Sequence, residues 1–326
     1  ARKRHADVAA QTDTSIDTSA DTSTDTTVPD GTDVVADTPV DTVDDDVPPF
    51  CPEGEIRCVD GGAQRCVDGT WMDLGPCPLG CDDATGACFV PSNVPADLVD
   101  PTAGDLDPTG LGPMVRMDTD DGSIMGEGGM VIRPPVTGHD AGSGITVAVH
   151  VQAEGLPAIG GFSVGSLTFP PGMTLRAEGS NALAILASGS ITVAGIIDVS
   201  ATGPRPGPGG GPGGEMGEPG QGACPGQSAL GTALTTHHCS AGGGGGGFGG
   251  TGGAGGDAET ECSYPGGAGG GPCGSAQLSP LQGGSGGGGG GLAREDEAAF
   301  AGTGGGGGGA VQLVAVTSIY IADGGG

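Results

Sequence analysis

Aromatic residues make up 3% of this 326-residue chain, with one tryptophan, Trp71, so no core can be assembled from bulky rings. Any core must be aliphatic and thin. Basic residues are nearly as scarce: ten Lys and Arg stand against 40 Asp and Glu, for a formal charge of −30, and Lys3 is the only lysine. With no basic patch to offset that field, phosphate backbones are repelled and nucleic-acid binding is excluded. A long apolar run is missing too. The best candidate, 182–197, is interrupted by Ser188, Gly189, Ser190, Thr192 and Gly195, short of the roughly 20 residues a transmembrane helix needs. The opening Ala1-Arg2-Lys3-Arg4-His5 is basic but leads into no apolar region of a signal peptide.

What is abundant is glycine, with 74 residues, and the ten cysteines form two even groups in loop-rich surroundings. Such cysteines read as disulfides made in an oxidising compartment, which places the chain outside the cell or at its surface. The composition matches no single ordinary domain, and four regions follow from its shifts.

Residues 1–50 form an acidic stalk. Asp13, Asp17, Asp21 and Asp25 recur every fourth position in an Asp-Thr-Ser-x pattern. Like charges four apart repel on a helix and the intervening Thr and Ser are poor helix formers, so the stalk is expected to be extended and disordered. Residues 51–90 form a knob with Cys51, Cys58, Cys66, Cys77, Cys81 and Cys88. So small a segment cannot bury enough apolar surface unaided, and three crosslinks of roughly 2–4 kcal/mol each are expected to hold it around Trp71. Their pairing stays open among fifteen connectivities. Zinc fits less well, since only Cys77 with Cys81 has ligand spacing. Residues 91–129 read as a linker, with Asp118, Asp120, Asp121 and Gly122 as a polar turn rather than a calcium loop.

From residue 130 to 326 the pattern becomes short period-2 strands separated by Gly, Ser, Asn and Pro turns. Leu175, Leu183 and Ile191 recur every eighth position, as three faces of a coil of about two dozen residues would require. The 182–194 segment also aligns without a gap on 310–322, 128 residues later. The fold expected is mainly β, a parallel β-helix (solenoid), with 203–309 as a glycine-rich insertion between two successive rungs and the solenoid incomplete at its C-terminal end. The insertion holds runs of six glycines at Gly242–Gly247, Gly286–Gly291 and Gly304–Gly309. Each glycine costs about 0.5–1 kcal/mol relative to Ala in regular structure, so the block must be either disordered or packed in a way only glycine allows, as polyproline II chains are at the collagen axis. Cys224, Cys239, Cys262 and Cys273 are its disulfide candidates. Its Gly-x-Gly-x-x-Gly matches follow no strand and open no helix, so they carry no phosphate site. His237-His238-Cys239 lacks a second ligand pair at zinc spacing, and Arg294-Glu295-Asp296-Glu297 reads as a solvated loop tip.

No catalytic, metal or cofactor site is assigned. An acid–base pair would have to come from Arg133, His139, Asp140, His150, Glu154, Arg176, Glu178 or Asp198, of which Arg176 and Glu178 share a strand face. The order of Asp/Thr stalk, six-Cys knob, the strands at 162–167, 172–175 and 191–200, and then polyglycine resembles the large glycine-rich secreted or lipid-anchored proteins of myxobacteria-like bacteria. The polyglycine runs look like the glycine-rich modules of certain receptor ectodomains and phage adhesins. Both resemblances imply surface display and adhesion without catalytic residues, and the first implies a lipid anchor upstream of residue 1. The expected function is a non-enzymatic structural or adhesive surface protein with an unidentified glycan or protein ligand. The alternatives are a β-helix polysaccharide lyase or hydrolase, or an extracellular matrix filler without a specific ligand.

Overall fold

The computed structural model describes residues 51–229, 231–233, 238–258, 264–291 and 302–322; the acidic stalk, Cys262, His237 and the Arg294–Glu297 patch lie outside them. The described chain is mainly β, with two single-turn 3-10 helices and a disulfide-rich region near its start. That region holds the antiparallel sheet β1 (Ile56–Val59), β2 (Gly62–Val67) and β3 (Thr70–Pro76), then the short pair β4 (Cys81–Asp82) and β5 (Ala87–Cys88). Of the fifteen connectivities, the bridges are Cys51–Cys66, Cys58–Cys81 and Cys77–Cys88. Trp71 is not the centre expected of it. It is half-buried with the Arg57 guanidinium 4.0 Å over its ring, while Cys51, Cys66, Cys77 and Ala63 fill the interior. A 38-residue segment has too little volume to enclose an indole, and the cystines occupy what there is.

Segment 91–129 is not a linker. Val94, Val99, Leu106, Val115, Met117 and Ile124 are buried there, and it carries β6 (Met114–Asp118) and β7 (Ile124–Gly126). Its Pro and Gly mark turns inside the body. One is the β6–β7 turn, where the Asp118 carboxylate accepts the N–H groups of Asp120 and Asp121 and Gly122 takes φ +77°, in the left-handed region. The chain continues through β8 (Val131–Arg133), β9 (Gly138–His139), β10 (Thr146–His150), β11 (Ile159–Val164), β12 (Leu167–Phe169), β13 (Thr174–Glu178), β14 (Ala182–Ala187), β15 (Ser190–Val193) and β16 (Ile196–Asp198). A glycine-rich stretch with the hairpin β17 (Gly231–Ala233) and β18 (His238–Ser240) follows, then β19 (Val311–Ala315) and β20 (Ser318–Ile321).

Three parallel ladders run through the body: β11–β14–β19, β12–β15–β20 and β6–β13–β16. Ile159 lies opposite Ala182, Leu167 opposite Ile191 and Thr174 opposite Ile196, so successive layers are 22 to 24 residues apart. The strands across the glycine block pair in the register of the repeat, Leu183 with Val311 and Ile191 with Ile319. Side chains alternate about the β14 strand: Leu183, Ile185 and Ala187 join Phe162, Phe169, Leu175 and Ile191 in the main core, while Ala182, Ala184 and Leu186 face a second cluster. Leu79 of the knob, Val94 and Val99 of 91–129, Leu281 of the glycine block and Ala310 just beyond it cover that second face. Every β14 residue is buried as a result, as an uninterrupted apolar run in a parallel sheet requires.

The glycine block is packed by its backbone. Segment 282–291 lies at the centre, and its N–H groups leave in three directions with a period of three. Gly284, Gly287 and Gly290 donate to Gly308, Gly305 and Gly302; Ser285, Gly288 and Gly291 donate to Gly247, Gly244 and Ala241. Gly283, Gly286 and Gly289 donate to Gly209, Gln221 and Glu218. A threefold repeat of this kind is that of side-by-side polyproline II chains, and it demands that no Cβ intervene. A Cβ on Gly286 would collide with the Pro212 carbonyl, and one on Gly289 with that of Glu215. Cys239 of this block is disulfide-bonded. Cys224 and Cys273, both expected in bridges, are instead free thiols that hydrogen-bond one another beside Ser285. Burial first, and then the neighbouring Cys224, push the Cys273 thiol up to about 11, with Ser285 acting in the opposite direction.

Two outcomes test this packing. Gly286→Ala should lower stability by about 2–3 kcal/mol through backbone overpacking, whereas Gly249→Ala, whose Cβ would meet nothing within 4 Å, should leave the melting temperature unchanged or slightly raised. Burial and the neighbouring Cys224 keep the Cys273 thiol protonated at pH 8, so iodoacetamide should label it far more slowly in the native protein than in urea.

Candidate functional site

Three of the chain's nine arginines, Arg116, Arg176 and Arg205, converge on one face. On β6, Val115 and Met117 point into the core, which turns Met114, Arg116 and Asp118 outward. On β13, buried Leu175 and Ala177 likewise leave Arg176 and Glu178 facing out, and β16 adds Asp198. The parallel register then sets Arg116 beside Arg176 and Arg176 beside Asp198, with Asp118 beside Glu178. Neighbouring strands are about 4.8 Å apart, so the two arginines would repel if left unpaired. Carboxylates on either side relieve this. Arg176 Nη1 donates to Asp198 Oδ2 at 2.6 Å and to Ser200 Oγ at 3.0 Å, and its Nη2 donates to Ser200 O at 2.6 Å and Thr202 Oγ1 at 2.8 Å. Arg116 pairs diagonally with Glu178. Beyond β16 the chain turns through paired backbone bonds between Thr202 and Arg205, which brings exposed Arg205 to the same rim.

The result is a groove of about 780 Å³ lined by Arg116, Asp118, Arg176, Glu178, Asp198 and Arg205, with Ser180 and Thr202 between them. Guanidinium forks and carboxylates alternate along it. Such a surface offers charge-assisted, partly bidentate hydrogen bonds to a ligand rich in hydroxyl or carboxyl groups. Arg116 and Glu178 keep 53% and 44% of their side chains exposed and so can exchange each other for a ligand, whereas Arg176, at 16%, is held in place.

The electrostatics suit binding better than proton transfer. Burial alone would raise the Asp198 carboxyl, but the hydrogen bonds from Ser200 and the Arg176 guanidinium outweigh it and hold the group below its usual range. A general acid of a glycosidase needs the opposite shift. The remaining candidates lie outside the groove lining. Arg133 is fully buried, with its guanidinium donating to the carbonyls of Gly122 at 2.5 Å and Gly138 at 2.9 Å, and burial lowers its pKa. His139 Nδ1 lies 3.1 Å from Thr146 Oγ1, and the Asp140 carboxylate accepts from Ser143 N and Oγ. His150 lines a separate shallow depression with Gln152, and Glu154 is exposed. Of the eight residues singled out from the sequence, the structure therefore brings together Arg176, Glu178 and Asp198. Sequence reasoning missed Arg116, Asp118 and Arg205. The Met-Val-Arg-Met-Asp alternation at 114–118 was the available signal, five residues long in a stretch otherwise full of turn formers.

Comparison with protein-family models, curated proteins and solved structures gives no match to this chain.

Asp198 and Asp100 both sit below their ordinary range, Asp100 through Thr146 first and then Thr102. A carboxylate depressed in the folded state stabilises the fold fully above its unfolded pKa of about 3.9, and that contribution disappears as pH falls through the lower folded value. The melting temperature should accordingly be flat from about pH 7 to 5 and drop below about pH 4, less steeply in Asp198→Asn.

Proposed function

We propose that this chain is a non-enzymatic secreted or cell-surface protein of structural and adhesive role, in which the charged groove holds a surface glycan. The observation that carries the reading is the groove itself: three arginines of a chain with −30 net charge line it, the Asp198 carboxyl beside Arg176 is held below its usual range, and no aromatic stacking platform accompanies them. Sugars offer donors and acceptors in directions that guanidinium and carboxylate pairs can meet together. Three parallel ladders with layers 22 to 24 residues apart support the further reading of the body as a parallel β-helix with a glycine-rich insertion, a scaffold that presents one continuous outer face. The disulfides suit an oxidising compartment, and among the described residues no helix is long and apolar enough to cross a membrane. Kinship with the glycine-rich surface proteins of myxobacteria-like bacteria belongs to the same proposal.

The test is titration calorimetry and turnover against a panel of neutral and uronate-containing polysaccharides. Saturable binding without chain cleavage is expected, weakened about 10- to 100-fold in Arg176→Ala, since each charge-assisted hydrogen bond contributes roughly 1.5–3 kcal/mol. Arg116→Ala, at an exposed position, should weaken binding with the melting temperature unchanged. Depolymerisation that tracks Glu178 or Asp198 would make the protein an enzyme, and the absence of saturable binding across the panel would leave a matrix protein.

A further inference from the structure

The glycine bundle offers backbone groups to a strand it does not itself supply. In its central segment every N–H from Gly283 to Gly291 is used, but the carbonyls of Ser285 and Gly288 receive no N–H from any described residue. The two flanking segments show the matching surplus. In 241–248, Gly242 and Gly245 donate to Gly256 and Gly253, and Gly244 and Gly247 to Gln227 and Cys224, while Gly243 and Gly246 donate to nothing among the described residues. In 302–309, Gly304 and Gly307 donate to Gly214 and Gly211, and Gly306 and Gly309 to Gly203 and Val199, while Gly305 and Gly308 donate to nothing described. These groups border one channel, seen as depressions of about 490 and 380 Å³, with 282–291 as its floor and the other two segments as its walls. No charged side chain lines either depression.

An occupant must therefore donate along one direction, to the floor, and accept along the two directions beside it, from the walls, with a period of three residues. The bundle already holds a segment in that setting. Gly267 and Gly270 donate to Gly242 and Gly245; on one side they accept from Gly255 and Gly252, and on the other Ala268 accepts from Gln227. This segment, 266–270, reads Gly-Gly-Ala-Gly-Gly. A Cβ on any of its four glycines would overlap a neighbouring carbonyl, of Gly255, Gln227, Gly252 and Cys224 in turn, whereas Ala268 is exposed and its N–H is unused among the described residues. The adjoining edge, 249–257, follows the same rule as Gly-Gly-Thr-Gly-Gly-Ala-Gly-Gly-Asp, with Thr251, Ala254 and Asp257 exposed. A strand with filled neighbours on one side only thus needs two glycines in every three residues, and the third turns outward.

We propose that the channel binds a strand of a partner polypeptide built of Gly-Gly-X repeats, extended as polyproline II. Its N–H groups meet the Ser285 and Gly288 carbonyls at every third residue, and its carbonyls accept from Gly243 and Gly246 on one wall and from Gly305 and Gly308 on the other. Two residues of each three press against the walls and must be glycine, as in 266–270, and X faces solvent. X can be proline, because the N–H of its counterpart Ala268 is unused among the described residues. Helices and β-strands, with periods of 3.6 and 2, do not match a threefold row of donors and acceptors. In a chain of −30 charge an uncharged channel also lets a neutral strand approach without burying any charge. The contact is separate from the charged groove and does not depend on what that groove holds.

Amide NMR of the full chain, titrated with a peptide of four Gly-Gly-Ala repeats, tests this directly. The Gly243, Gly246, Gly305 and Gly308 amides should shift and saturate with a dissociation constant on the order of 1 mM. A peptide of four Gly-Pro-Ala repeats, which sets a Cβ against a wall and removes N–H groups while keeping the polyproline II shape, should bind about tenfold more weakly or not at all. Gly290→Val, whose Cβ points into the channel and approaches no atom closer than 3.5 Å, should weaken binding of the first peptide by a similar factor with circular dichroism unchanged. Gly284→Val repeats that arm if Gly290→Val does not fold. No saturable shift up to about 10 mM peptide, equal binding of the two peptides, or binding indifferent to the channel variants would each overturn the proposal.

Discussion

Much of this structure depends on the absence of a Cβ atom at the close approaches made by glycines between Gly203 and Gly309. Where chains approach so closely that a methyl group would overlap a neighbouring carbonyl, only backbone hydrogen bonds can hold them, and the threefold repeat lets a central strand use its N–H groups on three sides. Each of these bonds is worth only about 1 kcal/mol net, so the ordering of so many glycines is offset by their number and cooperativity. The consequence reaches beyond the block. Its two ends, at Val199 and Ala310, are returned to adjacent positions, with Gly309 bonded to Val199 and Ala310 to Pro208, so that β19 can enter the ladder beside β14. A disordered insertion of this length would leave that closure to chain entropy.

A shortage of apolar volume shapes the rest. Among the described residues, Phe162 and Phe169 are the only aromatic rings in the main core, and the other positions are filled by Leu, Ile, Val, Met and Ala stacked across parallel layers. The second cluster is assembled from distant stretches, with Leu79 from the knob, Val94 and Val99 from 91–129, Leu281 from the glycine block and Ala310 just beyond it. The outer face of β14 thus ties all parts of the described body together. The knob itself relies on cystines in place of a hydrophobic centre, as a domain below the size for an independent core must.

Cations are equally rationed, and their placement is informative. Arg133 is spent inside, where it satisfies backbone carbonyls of a turn-rich region, and Arg57 covers Trp71. Arg116, Arg176 and Arg205 are drawn to one groove by strand register and by a turn, and Glu178 and Asp198 pair with the first two and relieve their mutual repulsion. A chain so acidic elsewhere presents there a balanced surface of donors and acceptors.

The β content, the layer spacing and the 128-residue recurrence were legible in the sequence, because alternation and repeat length are local properties of the chain: Leu175, Leu183 and Ile191 are all fully buried, and the recurring segments pair in the aligned register. The incorporation of 91–129 was not legible, since its Pro, Asp and Gly mark turns whether they lie in a linker or between strands, and β6 acquires its place only by pairing with β13, some sixty residues on. Half of the groove was hidden for the same reason: Arg176, Glu178 and Asp198 could be named, but Arg116 and Asp118 meet them through that pairing alone. Composition alone determined that the glycine block must be either disordered or bonded backbone to backbone. Which of the two occurs, which cysteines remain thiols and which side of the bundle stays open were decided by the tertiary structure, because glycine carries no side-chain pattern from which a neighbour could be read.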